Sequence, residues 1–298
     1  MKNIVLIIRS LKLHPLNKGL YGIVLAFAKL LIWQILSSLK PSKKFVYGFT
    51  SLTNFYAKKG MTGITGNIYC GLHEFEDMSF LLHFLRSDDT FYDIGSNVGS
   101  YTILASAHVG AKTIACEPIT QTFSHLLDNL KLNKIEHLVI AKNVAIGSEP
   151  GTLNMANNKD TMNYISDTSS LTSPSTESVK IETLQNIGSK PDLIKIDVEG
   201  YEYQVLKGGD SLLSNSEPVL ILEVTKAYKT YGTTLNQIDS TLKKFGYDYY
   251  EYSPFNRKLK KLTKLADGNN ICIKPDSLAR VENRLANASG FKIRRHKI

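Results

Sequence analysis

Three short apolar runs of the chain each end in an acidic side chain, and the residues around these acids have types and spacings that could support chemistry. Asp93 ends the first run and is followed by a glycine-bounded turn, GSNVG, at residues 95–99. Glu117 ends the second run, 24 residues later, and Asp197 ends the third. In open α/β sheets, ligands bind at the carboxyl ends of the strands. The three acids are therefore predicted to lie at one ligand-binding edge.

The turn after Asp93 predicts a seat for a ligand that carries both charges. Gly95 and Gly99 permit a sharp turn and close approach of the backbone. Ser100 lies at the electropositive start of a predicted helix, where a carboxylate or phosphate could rest. Asp93 favours a cation and would repel the pyrophosphate of a dinucleotide, whose fingerprint GxGxxG is also absent here. Taken alone, this segment could equally be a structural turn between strand and helix.

Glu117 indicates which ligand would fit. An acid at the end of the second strand of such a sheet can accept hydrogen bonds from both hydroxyls of a ribose. The turn and Asp93 would then bind an amino acid, and Glu117 a nucleoside, at the two ends of one molecule. S-adenosylmethionine has these two ends. The alternative for Glu117 alone is a solvated acid at a strand end.

The acids around Asp197 indicate a second function, close to the reacting group of a substrate. Asp197, Glu199 and Glu202 fall within six residues, so their charges repel and at least one pKa should be raised. Such a carboxyl could act as base for a substrate hydroxyl or help to hold a cation. The alternative is that Glu199 and Glu202 only begin a helix, where acids are favoured. His73 and Glu74, ahead of the first strand, are further candidates for the base.

Strand and helix patterns alternate from residue 91 onwards, which predicts a mostly parallel sheet covered by helices on both faces. The predicted strands are 91–94, 112–117, 138–146, 179–184, 192–197, 218–224 and a closing antiparallel pair, 247–252 and 269–274. The Ser/Thr-rich segment 157–178 is long for a connection inside a compact domain. It could close over a substrate as a lid or form a plain surface loop.

Five motifs together resemble the FkbM family of S-adenosylmethionine-dependent methyltransferases. They are FYDIGSNVGSYTILA, ACEP, NVAIG, DLIKIDVEGYEYQVLKGG and PVLILEV, in this order over residues 67–226. The resemblance implies a class I methyltransferase fold, with a Rossmann-like, doubly wound sheet of seven strands that is mostly parallel and has an antiparallel last strand. It also implies transfer of a methyl group to an oxygen, often on a sugar or a natural product.

The resemblance also assigns roles to individual residues, and only one position departs from the family pattern. Ser96 stands where the family more often has alanine. The implied donor-binding residues are Asp93, Gly95, Ser96, Asn97 and Gly99 at the methionine end, Glu117 and Pro118 at the ribose, and Asn143, Val144 and Ala145 around the adenine. Asp197 and Glu202 would border the reacting centre, with His73 and Glu74 as the next candidates for the base. No CxxC occurs, so no zinc site is indicated, and a divalent metal stays open as a second cofactor beside S-adenosylmethionine.

Charge divides the chain into three parts. The chain carries a formal net charge of +9, yet residues 1–60 hold ten Lys/Arg and no acid, and residues 257–298 hold twelve Lys/Arg against three acids. The middle, 61–256, is acidic, with 24 acids against 14 bases. We therefore expect a basic N-terminal extension (1–60), a methyltransferase domain (61–256), and a last strand with a basic C-terminal tail (257–298). Such basic ends favour contact with an anionic surface over nucleic acid bound through the middle.

The segment 20–40 is apolar and almost long enough to span a bilayer. Lys29 near its centre opposes insertion. On a helical wheel, Gly22, Lys29, Ser37 and Lys40 share one side. Three readings stay open: a helix lying in a membrane interface, a helix packed on the protein itself, and a true span.

The sequence predicts an O-methyltransferase that uses S-adenosylmethionine and acts on a hydroxyl of a sugar, glycan or glycolipid-type acceptor. A nucleic-acid methyltransferase is one alternative, suggested by the pI near 9.2 and opposed by the acidic middle. A membrane-associated protein that binds S-adenosylmethionine without catalysis is the other. The three cysteines are widely spaced and suit a reducing compartment, so we expect a cytoplasmic protein, peripheral at the inner membrane face.

Overall fold

The computed structural model describes residues 11–156, 176–294 and 296–298. Its strands are β1 (Phe45–Gly48), β2 (Asn54–Ala57), β3 (Thr90–Ile94), β4 (Lys112–Cys116), β5 (Val139–Lys142), β6 (Ala145–Gly147), β7 (Gly151–Ala156), β8 (Thr176–Thr183), β9 (Leu193–Ile196), β10 (Val219–Val224), β11 (Asp248–Ser253), β12 (Lys258–Leu262), β13 (Gly268–Ile273), β14 (Lys292–Ile293) and β15 (His296–Lys297).

Helices connect most of these strands. They are α1 (Gly19–Leu39), α2 (Thr62–Cys70), α3 (Phe75–Phe84), α4 (Ser100–Thr102, continued by π-helical turns over Ile103–Val109), α5 (Thr120–Asn133), α6 (Glu202–Lys207), α7 (Asp210–Asn215), α8 (Leu235–Lys244) and α9 (Pro275–Ala286). Short 3₁₀ turns lie at Pro15–Asn17, Leu184–Asn186 and Lys226–Tyr231.

The central sheet contains eight strands in the order β12-β11-β13-β10-β9-β3-β4-β5. Strands β5, β4, β3, β9 and β10 run parallel, and β13 runs antiparallel to both β10 and β11. The predicted α/β fold with an antiparallel last strand is therefore confirmed. The eighth strand, β12, comes from the basic segment after residue 256 and pairs antiparallel with β11 at the sheet edge.

Both faces of the sheet are buried, because successive residues of its strands alternate between two hydrophobic cores. Phe91 and Leu193 belong to the core beneath α3, α4 and α9, whereas Tyr92 and Ile194 belong to the core beneath α6, α7 and α8. This double cover explains why the strand sequences are almost continuously apolar. It also directs the polar residues of these strands to the carboxyl ends.

The run 138–146 is two strands, not one. It forms β5 in the central sheet and then, after Asn143, β6 in a separate three-stranded sheet of order β6-β8-β7. An apolar run does not reveal such a change of sheet, because both strands satisfy the same pattern. Most of the predicted lid, 157–175, lies outside the described residues.

Both basic ends of the chain pack on the domain. At the C-terminal end, Phe291, Ile293 and Ile298 are buried in the core that also contains α9. At the N-terminal end, Leu16 and Trp33 are buried in the same core. Helix α1 is long and apolar enough to cross a membrane by length and composition, with a mean hydropathy of 1.8.

Candidate active site

The turn after β3 is held so close to β9 that it requires glycine. Gly95 has φ 81°, and a Cβ atom built there would lie 1.8 Å from the carbonyl oxygen of Asp197. The amides of Gly95 and Ser96 both donate to the carbonyl oxygen of Cys116, at 3.0 Å. The turn is therefore fixed between the ends of β4 and β9, and it leaves its backbone open to the main cavity.

That cavity lies at the carboxyl ends of the parallel strands and has a volume of about 330 Å³. It is lined by most of the predicted site residues, namely His73, Glu74, Asp93, Gly95, Ser96, Asn97, Glu117, Pro118, Val144, Ala145 and Asp197. The tertiary structure therefore brings the three acidic strand ends together, as the strand pattern predicts. Small-molecule sites usually have volumes of about 300–1,000 Å³.

Asp93 borders the cavity, but one of its carboxylate oxygens accepts hydrogen bonds from within the protein. Its Oδ2 accepts hydrogen bonds from the Thr102 amide at 3.0 Å and the Thr102 hydroxyl at 2.6 Å. Burial raises the pKa of Asp93 to about 6, and these hydrogen bonds oppose that rise. Asp93 therefore also fixes the start of α4 against β3, a role that its position at a strand end did not indicate.

Glu117 links the two loops that border the donor end of the cavity. Its Oε2 accepts from the Asn97 amide at 3.0 Å, and its Oε1 accepts from the Ile119 amide at 2.9 Å. Asn97 is held in the left-handed region, at φ 49°. Each oxygen of an ionised carboxylate can accept a second hydrogen bond. The carboxylate that fixes both loops also lines the cavity, where its oxygens are candidate acceptors for hydroxyls of a ligand.

Two of the predicted donor residues, Gly99 and Asn143, do not line the cavity. Gly99 precedes the first residue of α4, and a Cβ atom there would lie 2.6 Å from a methyl carbon of Leu126. The Asn143 side chain donates to the carbonyl oxygens of Glu117 and Pro118, at 2.9 and 2.8 Å. Both residues therefore fix the backbone of loops that border the cavity without lining it themselves.

The cavity wall also contains a lysine and further carboxyls. Lys195 is buried, and its Nζ lies 2.6 Å from Oδ2 of Asp197. Burial opposes ionisation of Asp197, but the Lys195 ammonium and hydrogen bonds from Glu223 and Lys195 hold the pKa of Asp197 below its usual value. Burial and the Asp197 charge raise the pKa of Glu223 to about 9. These contacts favour the ionised form of Asp197 and the protonated form of Glu223.

Glu74 joins this group from the segment before α3. Its Oε2 accepts from the Tyr101 hydroxyl, and the Lys195 Nζ lies 4.6 Å from the centre of the Tyr101 ring. Oxygen atoms of Glu74, Asp197 and Glu223 lie within 4.8 Å of one another, a spacing that could hold one metal ion. The Lys195 ammonium already occupies part of this space as an internal cation.

Glu202 is not brought to the cavity wall. Its side chain is 1% exposed, and its Oε1 accepts from the Gly200 amide at 2.8 Å within the turn that begins α6. Burial raises its pKa to about 7. The acid that stands beside Asp197 is Glu223, at the end of the adjacent strand β10, while Glu199 lines the cavity mouth.

Glu202→Gln tests the buried state of this carboxyl through the pH dependence of stability. The pKa of Glu202 is raised to about 7 in the folded protein, so its contribution to stability is full below the unfolded pKa and is lost as the pH rises through 7. Glutamine does not titrate. We expect the fall in unfolding free energy between pH 5 and pH 8 to be smaller in this variant by about 2 kcal/mol. Urea unfolding at both pH values measures the difference, and the exposed Glu149→Gln is the control. Equal falls in wild type and Glu202→Gln would contradict the prediction.

Lys195, Glu223 and Tyr101 contribute to the site without having been among the predicted catalytic residues. A usable signal existed for Lys195, because residues two apart on a strand point to the same face, and Lys195 and Asp197 are two apart in DLIKID. Glu223 lies near the carboxyl end of β10, and Asp197 directly follows β9. Because β9 and β10 are parallel neighbours, the sequence pattern could have placed these two carboxyls side by side. Tyr101 had no comparable signal, since it depends on how α4 packs.

The mostly parallel α/β sheet and the cavity at the carboxyl ends of its strands are those expected of a methyltransferase domain. Residues 93–249, more than half of the chain, match the sequence model of the methyltransferase FkbM domain. The chain belongs to the FkbM methyltransferase family, and the predicted resemblance is confirmed.

One curated relative and several solved structures are similar to this chain. It is 29% identical over 143 residues to the hexuronic acid methyltransferase AglP of Haloferax volcanii, a match that covers 47% of this chain and 58% of the relative. The FkbM methyltransferase of Methylobacillus flagellatus KT is 16% identical with a TM-score of 0.44, covering 70% of this chain and 52% of that one. M. jannaschii TYW2, determined in complex with AdoMet, is 16% identical with a TM-score of 0.42, covering 77% and 83%.

Proposed function

We propose that this chain transfers the methyl group of S-adenosylmethionine to a hydroxyl of a sugar, glycan or glycolipid-type acceptor. One observation carries the proposal: the loop of residues 95–97 and Glu117 share a single cavity with the ionised Asp197 and its lysine partner. A donor seat and a candidate base are thus within one enclosed space. The name of the relative, a hexuronic acid methyltransferase, supports a sugar as acceptor.

The residues at the donor end fit S-adenosylmethionine. At Gly95 the turn lies closer to the Asp197 carbonyl oxygen than any residue with a Cβ atom could, and the Glu117 carboxylate lines the same cavity as a candidate acceptor for ribose hydroxyls. Val144 and Ala145 add an apolar wall that suits an adenine ring. When bound, the donor supplies a sulfonium methyl group that is already activated, so the protein mainly aligns the reactants.

The residues around Asp197 would accept the proton that the attacking hydroxyl loses. Asp197 is ionised at neutral pH, and its Oδ atoms can accept that proton as the new oxygen–carbon bond forms. Lys195 and the protonated Glu223 hold Asp197 in place and in the ionised state. The rings of Tyr201 and Tyr231, 5.3 Å apart at their centres, add an aromatic wall to the cavity.

Glu117→Gln tests the donor assignment. An amide keeps only one acceptor oxygen, so the side chain can no longer serve both loops and both ribose hydroxyls. We expect the affinity for S-adenosylmethionine to fall about 10- to 100-fold, the effect of losing a hydrogen bond to a charged group. Calorimetric titration measures the change, with Glu149→Gln, an exposed acid on the same domain, as the control. Unchanged affinity in Glu117→Gln, or no binding to wild type, would refute the assignment.

The acceptor class is tested by where a labelled methyl group goes. The protein is incubated with labelled S-adenosylmethionine and a glycan extract of the organism's own envelope, and with a nucleic-acid extract as the comparison. We expect label in the glycan fraction that survives mild alkali, because a methyl ether is stable there and a methyl ester of a hexuronic acid is hydrolysed. Alkali-labile label, or label in nucleic acid, would contradict transfer to a sugar hydroxyl.

The proposed place of the reaction is the cytoplasm, at the inner face of the membrane. Cys70, Cys116 and Cys272 are free and buried, which suits a reducing compartment. The chain has no acid before Glu74, so its N-terminal part would be attracted to an anionic leaflet.

A further inference from the structure

Helix α1 packs on the protein through one side and exposes a second, wide apolar side to the solvent. Gly22, Ala26, Trp33 and Ser37 are buried against the domain. The outer face of α1 is formed by exposed side chains that span an arc of about 140° at 100° per residue. They are Leu20, Tyr21, Val24, Leu25, Ala28, Leu31, Ile32, Ile35 and Leu39. A helix of a globular protein normally exposes polar side chains on the face that is turned away from the core.

The charges around this helix are of one sign. Lys12 and Lys18 before it, and Lys40 and Lys43 after it, are exposed. Residues 1–73 contain no acid. An exposed apolar face with lysines at both ends has the composition of a helix that lies in the surface of an anionic bilayer.

We propose that the outer face of α1 docks on an anionic lipid bilayer, with the helix axis in the plane of the interface. The buried side of α1 excludes a span, because it packs on the rest of the domain. Ala26 forms a small core with Leu11 and Cys70 of α2, and Trp33 packs on β1. Lys29 is half-buried near the middle of the helix, so a span would carry this charge and the attached domain into hydrocarbon.

Charge favours a lipid surface over a second copy of this chain as the occupant. Two copies that paired through the outer face of α1 in antiparallel orientation would bring Lys18 of one close to Lys40 of the other. Like charges oppose such a pairing, whereas anionic headgroups attract each lysine near the surface. The apolar residues would enter the acyl boundary between the flanking lysines.

Helix α2 lies between α1 and the cavity and contacts both. This helix packs against α1 on one side, and on the other its Gly63 lines the cavity. His73, also in the cavity wall, packs directly on α2 at Gly66. Docking would therefore hold the methyl-transfer cavity one helix away from the membrane. The docking itself does not depend on the acceptor or on the proposed reaction.

Vesicle flotation of the full-length protein tests the docking. We expect binding to vesicles of phosphatidylcholine and phosphatidylglycerol, weaker binding to pure phosphatidylcholine, and a loss of several-fold on raising the salt. Ile35→Glu, in the outer face of α1, should reduce the bound fraction at least tenfold, whereas the neighbouring Gln34→Glu, exposed but outside that face, should change it less than threefold. Thermal melting of each variant checks that the domain is folded.

Site-directed labelling provides a second test that does not depend on a charge change. Because the three native cysteines are buried, an environment-sensitive fluorophore will label an introduced cysteine selectively. We expect Ile35→Cys to shift to the blue on adding anionic vesicles and Gln34→Cys to keep its spectrum. A shift of both would indicate a span and overturn the proposal. No flotation of wild type would overturn it, as would a dimer in light scattering that Ile35→Glu dissociates. The proposal would also be overturned if the outer face of α1 bound lipid only after residues 1–10 had been deleted.

Discussion

Asp197→Asn is expected to lower kcat for methyl transfer about 100- to 10,000-fold, the range that general-base catalysis contributes, with little change in the affinity for S-adenosylmethionine. Asp197 is the ionised carboxyl of the acceptor end, and asparagine cannot take up the proton of the attacking hydroxyl. Transfer of a labelled methyl group to the envelope glycan extract measures the rate, and calorimetry measures donor binding. Asp192→Asn, at the opposite end of the same strand, is the control and should keep the wild-type rate.

The substitution also removes the partner of the buried Lys195 ammonium, and breaking a buried pair destabilises a protein by about 3–5 kcal/mol. A double variant, Lys195→Met with Asp197→Asn, separates the two effects, since it removes both charges. We expect it to regain most of the stability and none of the rate. Recovery of the rate in the double variant would show that Asp197 acts only by pairing Lys195. A wild-type rate in Asp197→Asn would show that the base lies elsewhere.

Gly95→Ala is expected to destabilise the fold by about 2–5 kcal/mol and to abolish donor binding. The left-handed backbone costs a residue with a Cβ atom about 1–2 kcal/mol, and overpacking adds about 1–3 kcal/mol. The overpacking arises because the new methyl group would lie 1.8 Å from the Asp197 carbonyl oxygen, so the donor turn must move away from β9.

Gly246→Ala is a matched control for this prediction. Gly246 has φ 85°, close to the 81° of Gly95, but nothing lies within 4 Å of a Cβ atom built there. It should therefore show only the backbone cost, about 1–2 kcal/mol, and normal donor binding. Urea unfolding and calorimetry measure both variants. Equal destabilisation of the two would mean that the contact with Asp197 has no effect of its own.

The donor half of the site could be predicted from the sequence because its signals are local. Asp93 and Glu117 each end an apolar run, and the glycines of the turn lie between them, so adjacent parallel strands were enough to place them together. The acceptor half could not be predicted to the same degree. Glu202 stood nearer to Asp197 in sequence than Glu223 did, but the turn at residues 198–201 carries Glu202 away from the cavity and buries it.

The pairing of β9 with β10 determined which charged side chains stand beside Asp197. Lys195 and Asp197 share a strand face, which the sequence does specify through the two-residue period. Whether a carboxyl is ionised depends on its neighbours in space, however: burial and the Asp197 charge raise the pKa of Glu223, and the Lys195 ammonium opposes that rise. Likewise, the run 138–146 specifies extended backbone but not the change of sheet at Asn143.

By itself, the sequence determined the α/β class, the order of its elements and the meeting of Asp93, Glu117 and Asp197 at one edge of the sheet, because strand period, glycine turns and acidic strand ends act over a few residues. It also determined that Gly22, Lys29 and Ser37 share one side of a helix. Only the tertiary structure decided that this side faces the domain and that the leucines and isoleucines face outward. Helical periodicity specifies which residues share a face, whereas the close packing of α1 on α2, which small residues allow, selects the face that is buried.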